Sequence, residues 1–260
     1  MKIVIADGLK SEQFVTIFKN IQNKINTVNL IFRENELYVQ GMDPSQIGLF
    51  ELLLVKSWFE HYDITKTITL GISCELFSKM LNCLEKSHHI EMIFEAEGDS
   101  MEVNLLSQEK GAVNKCFTLP LMDIDSEIMG IPNMEYTADL QIKSTLFEKI
   151  IEQLLVFAET VSIRCTGEDM SLKTTKESAL LEGGMEVNIN LEDMTEYLIE
   201  EEADITLRFS LKYMKWIVQF AKLSQDTNIH FKLDIPMKLT YKLGEGSFIQ
   251  FFLAPQFDEF

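Results

Sequence analysis

Apolar residues along this chain recur in two alternating rhythms, and the alternation itself repeats four times. Steps of three and four residues predict amphipathic helices over 11–25, 74–87, 144–158 and 211–224. In the first, Phe14, Val15, Phe18, Ile21 and Ile25 share one side while Gln13, Thr16, Lys19, Asn20 and Asn23 take the other. In the last, Met214, Trp216, Ile217, Phe220 and Ala221 oppose Lys212, Lys215, Gln219 and Lys222, whose steps of three, four and three draw one stripe. After each helix come two stretches of strict alternation, over 28–40, 90–106, 161–174 and 229–241. Turn residues such as Glu97-Gly98-Asp99 and Gly167-Glu168-Asp169 part the two members of a pair. A helix that is apolar on one side only must lie on a sheet, so the unit is helix, strand, turn, strand.

Phe14, Phe77, Phe147 and Met214 hold corresponding helix positions, 63, 70 and 67 residues apart. Two units, a join and two more units is the simplest parse, and it makes the fold class α+β. The expected domains are 1–120 and 137–260. Between them 121–136 reads as an ordered linker, with Asp123, Asp125, Gly130 and Pro132 and little periodicity. Repetition points to a scaffold with equivalent faces rather than to one catalytic pocket.

Composition narrows the classes. The 260 residues are 46% hydrophobic, enough for two cores of ordinary size. No apolar run approaches the roughly 18 residues of a bilayer span, and MKIVIADGLK lacks the apolar core of a signal peptide, so an intracellular protein with no membrane partner is expected. Cys74, Cys83, Cys116 and Cys165 have no metal-site spacing and read as reduced core thiols. His61, His88, His89 and His230 are scattered, and no phosphate loop, nucleophile elbow or zinc spacing occurs. The expectation is a protein without catalytic residues, metal or cofactor; Asp43, Asp123 and Asp125 fall in loops but lack a ligand-rich motif. The net charge of −18, from 41 acidic and 23 basic residues, repels nucleic acid at long range. Where the basic residues lie therefore matters more than the total.

Three motifs carry a resemblance. Leu121-Met122-Asp123-Ile124-Asp125 with Gly130-Ile131-Pro132 and Glu135-Tyr136 closely resembles the interdomain connector of the proliferating cell nuclear antigen family of sliding clamps. Gly41-Met42-Asp43-Pro44-Ser45-Gln46-Ile47 with Leu52-Leu53-Leu54 is similar to an early segment of that family, and Phe252-Leu253-Ala254-Pro255 to its carboxyl-terminal one. The match runs over essentially the whole chain. It implies a two-domain DNA-clamp fold that forms a head-to-tail trimeric ring, helices inside and antiparallel sheets outside. The joining strands would be about 108–118 on one subunit and 174–188 on the next, with Gly183-Gly184 marking a bulge or loop.

By the same resemblance the lysines facing double-stranded DNA would be Lys19, Lys79, Lys86, Lys149, Lys212, Lys215 and Lys222. The chain departs from the family at Glu12 and Gln13, where adjacent lysines are usual, and at Glu152 beside Glu148, where a second basic position is usual. The bore should accordingly be less positive than is typical. Acidic Glu192-Asp193 and Glu200-Glu201-Glu202 serve solubility or steer duplex from a rim. A hydrophobic pocket for partner peptides would use Met42, Gln46, Ile47, Met129, Ile131, Pro236, Phe252, Ala254, Pro255 and Phe257. The implied function is a DNA polymerase processivity factor in the nucleus, or at a site of viral DNA replication, partnered by polymerase, clamp loader and its own copies. Two other readings stay open: a subunit of a heteromeric checkpoint-type clamp or a viral factor without a homotrimer, and an acidic interaction scaffold with no DNA role.

Overall fold

Backbone hydrogen bonding turns the four repeats into a much longer series of strands than alternation alone marks. In this computed structural model residues 1–174 and 184–256 are described. The order begins β1 (Lys2–Ile5), α1 (Gly8–Ile21), β2 (Thr27–Arg33), β3 (Glu36–Met42), β4 (Gly48–Val55), β5 (His61–Tyr62) and β6 (Ile68–Ser73). Then come α2 (Cys74–Leu81), β7 (His89–Phe94), β8 (Ser100–Leu106) and β9 (Lys115–Pro120). The second half runs β10 (Ala138–Lys143), α3 (Ser144–Leu154), β11 (Thr160–Cys165), β12 (Met170–Thr174), β13 (Glu186–Ile189), β14 (Met194–Ile199) and β15 (Ile205–Ser210). It closes with α4 (Leu211–Val218), β16 (Asp226–Phe231), β17 (Met237–Gly244) and β18 (Ser247–Leu253).

The chain divides into two units. The first comprises Met1–Pro44, Glu51–Met129 and Leu243–Ile249; the second comprises Ser45–Phe50, Gly130–Lys242 and Gln250–Phe260. In the first, a five-stranded sheet has the order β5-β1-β7-β8-β9, and β4-β3-β2-β6 run side by side in another. The ladders β2/β3, β2/β6, β7/β8 and β8/β9 are all antiparallel. Helix α1 packs on α2 and also meets β1 and β7, while α2 meets β6 and β9. The buried face of α1, Phe14, Ile17, Phe18 and Ile21, joins Phe77 of α2 and Trp58. Ring centroids lie 4.9 Å apart for Phe14–Phe18 and 4.8 Å for Phe18–Phe77. Each fully buried phenylalanine stabilises by roughly 1.5–3 kcal/mol relative to an exposed one, so this cluster is a principal reason the helices stay on their sheets.

In the second unit a four-stranded sheet has the order β13-β12-β11-β15, and β14-β10-β16-β17-β18 lie side by side in another. Helices α3 and α4 pack on one another, α3 against β10 and α4 against β15. Here Phe220 and Trp216 close on Phe251 of β18, at 4.8 and 5.3 Å between centroids, and Tyr241 of β17 stands 6.4 Å from the same ring.

The starts of the helices explain how the two repeats within each unit interlock. The first N–H groups of a helix have no intrahelical acceptor. Leu211 N–H of α4 donates to Glu159 O in the loop after α3, and Ser144 N–H of α3 donates to Gln225 O in the segment after α4, at 2.8 and 3.0 Å. Cys74 N–H of α2 donates in the same way to Asn26 O after α1, at 2.9 Å. Helix α1 differs: Asp7 caps it by accepting from Lys10 N–H at 2.9 Å.

All four helices are shorter at their C-terminal ends than periodicity predicts. The reason is common to them. At each end N–H groups reach back three residues rather than four, as in Lys24→Ile21, Cys83→Met80, Phe157→Leu154 and Phe220→Ile217. The chain tightens into a turn and leaves the helical path. This corrects two further expectations. Lys86 stands in a turn beyond α2, and Lys222 lies in a separate short 3-10 turn over Ala221–Leu223, so the lysine stripe is not drawn on one continuous helix. Nor are all cysteines in the core: Cys74 and Cys165 are buried, Cys83 and Cys116 are exposed, and all four are free. Burial pushes the thiols of Cys74 and Cys165 up to about 12.

Candidate functional site: helix faces, connector and open sheet edges

The polar faces of the helices hold the lysines singled out by sequence. In the first unit Lys19 on α1 and Lys86 after α2 are exposed, and Lys79 on α2 is paired with Glu75 one turn before it, at 2.5 Å. Hydrogen bonding and charge from Lys79 hold the Glu75 carboxyl below the usual carboxylate range. In the second unit Lys149 on α3, Lys212 on α4 and Lys222 are exposed. Lys215 on α4 is ion-paired with Glu152 on α3. Among the described residues Lys19, Lys86, Lys149, Lys212 and Lys222 carry no ion pair. Of these seven lysines, the first unit thus leaves two open and the second three, and each countercharges one.

The join between the repeats is built into the first unit by side chains that sequence reading did not find. Residue 121 onward crosses β6, β2 and β3 in turn. Met122 forms an antiparallel bridge with Gly71 of β6, its N–H donating to Gly71 O at 3.0 Å. A Cβ on Gly71 would stand 2.1 Å from Met122 O and 2.9 Å from Ile124, so only glycine lets the two backbones meet. Asn29 of β2 donates from Nδ2 to Ile124 O at 3.2 Å and to Ser126 Oγ at 2.9 Å. Gln40 of β3 closes the path. Its Nε2 donates to Met129 O at 3.0 Å, and its Oε1 accepts from Met129 N–H at 2.8 Å. The side-chain amide thereby pairs with the Met129 backbone as a peptide group of a strand would. The one legible signal was Gly71 itself, since a glycine inside a strand pattern marks a close approach of another backbone.

Of the residues expected to receive peptides, Met42 and Met129 belong to the first unit, and Met129 is 49% exposed. Gln46, Ile47, Ile131, Pro236, Phe252, Ala254 and Pro255 belong to the second. Within that unit Ala254 N–H donates to Ile47 O at 3.0 Å, which fixes the early loop to the segment after β18. Gln46 turns the chain with φ 58°. Ile47 is exposed, Ile131, Pro236, Ala254 and Pro255 are half-buried, and Phe252 is buried. Leu233, 52% exposed beside Pro236, is an apolar neighbour that periodicity did not separate from the core. Phe257 lies outside the described residues.

Among the described residues, β9 and β13 each end a sheet, as do β5 and β14. β9 ends the five-stranded sheet of the first unit and β13 ends the four-stranded sheet of the second. Strand pairing here begins at Lys115, not near 108. From Ser107 to Asn114 the chain loops, with Ser107 N–H capped by Asn114 Oδ1 at 2.8 Å and Gly111 at φ 94°. The start of β9 is tied down. Lys115 Nζ donates to Cys83 O at 2.7 Å and to Glu85 Oε1 at 2.5 Å. Buried His88 accepts Glu85 N–H on Nδ1 at 3.1 Å, and its Nε2 lies 3.0 Å from Val113 O. Those two contacts together require the neutral ring with its proton on Nε2. β13 is short, and the part of the expected joining strand over 175–183, including Gly183, lies outside the described residues. Two of the remaining edges carry a further chain segment: Met122 bridges onto β6, and Gln256 N–H donates to Arg208 O of β15 at 2.8 Å.

Among the described residues no group of three or more His, Cys, Asp or Glu could hold a metal ion, and no helix is long and apolar enough to cross a membrane. Comparison with known proteins gives a consistent match. The family model described as proliferating cell nuclear antigen, N-terminal domain, matches residues 9–128, and the one described as its C-terminal domain matches 130–256. The proliferating cell nuclear antigen of Caenorhabditis elegans is 27% identical over 245 residues, covering 94% of this chain and 93% of that protein. That of Chaetomium thermophilum is 26% identical over 237 residues, covering 91% of each. A crystal structure of the PCNA2–PCNA3 complex from Sulfolobus tokodaii shares the fold, with a TM-score of 0.86, 22% identity and coverage of 98% of this chain and 99% of that one.

Proposed function

This chain belongs to the proliferating cell nuclear antigen family, and from that premise we propose that it acts as a processivity clamp, a ring of three copies around duplex DNA. Clamps of this family are scaffolds rather than enzymes. The observation that carries the proposal is that, among the described residues, β9 ends a sheet in the first unit and β13 ends one in the second. An unpaired strand edge invites another chain, and joining unlike edges head to tail gives an interface whose rotation can close. The ring then consists of domains 1–120 and 137–260, with 121–136 as connector.

Retention by encirclement asks little of the contacts. Phosphate interactions through the lysines of the helix faces, Lys19, Lys79, Lys86, Lys149, Lys212 and Lys222, with Lys215 ion-paired beside them, are independent of sequence and sensitive to salt, which permits sliding. The residues of the expected pocket that the second unit holds, Gln46, Ile47, Ile131, Pro236, Phe252, Ala254 and Pro255, serve as the docking place for partner peptides, supported by the hydrogen bond of Ala254 to Ile47 within that unit. An apolar anchor supplies most of the affinity in such docking. DNA polymerase, other replication and repair proteins and a clamp loader are the partners proposed, and the nucleus the compartment.

Light scattering of the purified chain tests the ring: three times the subunit mass is expected. A stable monomer or dimer that stimulates polymerase only with a second clamp chain would replace the homotrimer by a subunit of a heteromeric ring, a reading favoured by the named complex of two different chains in Sulfolobus tokodaii. Lys149→Glu with Lys212→Glu should impair polymerase stimulation and leave the mass unchanged. Ile131→Ser with Pro255→Ser should abolish peptide binding; unaltered titration curves would move docking elsewhere.

A further inference from the structure

The seven lysines are not equivalent. Lys215 on α4 is half-buried and ion-paired with Glu152 on α3, their side chains 34% and 48% exposed, whereas Lys149, Lys212 and Lys222 of the same unit carry no ion pair among the described residues. The Glu75–Lys79 pair has an ordinary explanation, because a glutamate four residues before a lysine stabilises the helix that carries both. Glu152 and Lys215 stand 63 residues apart and join two helices, so the helix needs neither for its own sake. The pair also puts an acid among the groups that would meet phosphate.

We propose that Glu152 is a built-in countercharge that competes with DNA phosphate for Lys215, so that this unit holds duplex through Lys149, Lys212 and Lys222 while Lys215 is withheld. The inference rests on the clamp reading above. Its physical basis is that an ammonium group neutralised by a carboxylate displaces no counterion from DNA, and therefore adds nothing to the salt dependence of binding. An ammonium in contact with phosphate steepens log K against log salt by about 0.9. A clamp that must slide gains from a weaker grip, and removing one contact per subunit by an internal acid achieves it without losing the lysine.

The test is the salt dependence of binding of the assembled protein to a short fluorescent duplex, read by anisotropy. Glu152→Gln should tighten binding at every salt concentration and steepen the slope by about 0.9 for each lysine newly engaged. Lys215→Gln alone should leave the wild-type slope unchanged, and the double variant should return to it. Glu196→Gln, an exposed acid on β14, measures the general gain from removing one negative charge. Three results overturn the proposal: an unchanged slope for Glu152→Gln, an equal gain for Glu196→Gln, or a flattening by Lys215→Gln as large as that by Lys212→Gln. A purely structural tie between α3 and α4 would lower the melting temperature of both single variants and leave the slopes alone. Failure of the clamp reading itself looks different, because Lys149→Gln and Lys212→Gln would then also leave the slope untouched.

Discussion

The two units solve one problem in two ways. In the second, α3 and α4 exchange hydrogen bonds: each begins by donating a backbone N–H to the loop that ends the other, through Gln225 and Glu159. In the first, only α2 makes such a bond, to Asn26, and α1 starts instead on the side chain of Asp7. The aromatic load differs as well. α1 and α2 supply Phe14, Phe18 and Phe77 themselves, whereas the rings around Phe251 come from α4, the turn after it and the strands. A repeated architecture therefore does not mean repeated chemistry. What is kept is the position of each helix over its sheet, and the interactions that keep it there are interchangeable.

The largest effects that would break this comparison lie in the cores. Phe18→Ala and Phe220→Ala each remove a fully buried ring and should cost about 3–5 kcal/mol by chemical denaturation. Similar losses would show that the two clusters are equivalent despite their different origins. Next comes Gly71→Ala, which forces a methyl group into Met122 O and should cost about 1–3 kcal/mol while lowering affinity for partner peptides. A variant with wild-type stability and peptide binding would mean that the connector can lift from β6 freely.

The caps give a sharper contrast at smaller size. Asp7→Ala should cost about 1 kcal/mol, whereas Ser210→Ala, at a position with no side-chain cap bond, should stay within about 0.5 kcal/mol. Equal losses would remove the distinction between side-chain and backbone starts. The smallest effect is that of Glu75→Gln. Its folded carboxyl is held below the usual range by Lys79, so the pair stabilises above the ordinary carboxylate pKa, and that gain is lost as pH falls through the lowered one. The melting difference from wild type should be slight near neutrality and vanish in acid. Thiol titration separates core from surface independently: in the native protein Cys83 and Cys116 should react promptly, and Cys74 and Cys165 only on unfolding. Protection of Cys116 as copies associate would place β9 in the joint.

Periodicity carried the helix faces well: Phe14, Phe18, Phe77, Phe147 and Met214 are all buried where the pattern puts them. It could not locate the helix ends, because the final apolar residues, such as Phe220 and Leu223, serve a tight turn as readily as a helix. The anchors of the connector were hidden for another reason. Asn29 and Gln40 fill polar slots of alternating strands, and nothing local to β2 or β3 distinguishes a side chain bound for water from one bound for a segment some 90 residues later, 95 for Asn29 to Ile124 and 89 for Gln40 to Met129. The countercharge on Lys215 was half legible: the sequence marked Glu152 as a departure, but only the side-by-side placement of α3 and α4 identifies its target.

The three fastenings of the connector have a mechanical consequence. Gly71, Asn29 and Gln40 hold it like stitches, and between the last two Ile128 stands exposed. Under the docking proposed above, a captured peptide would tug that short span into a new contour while the seam on either side keeps its alignment.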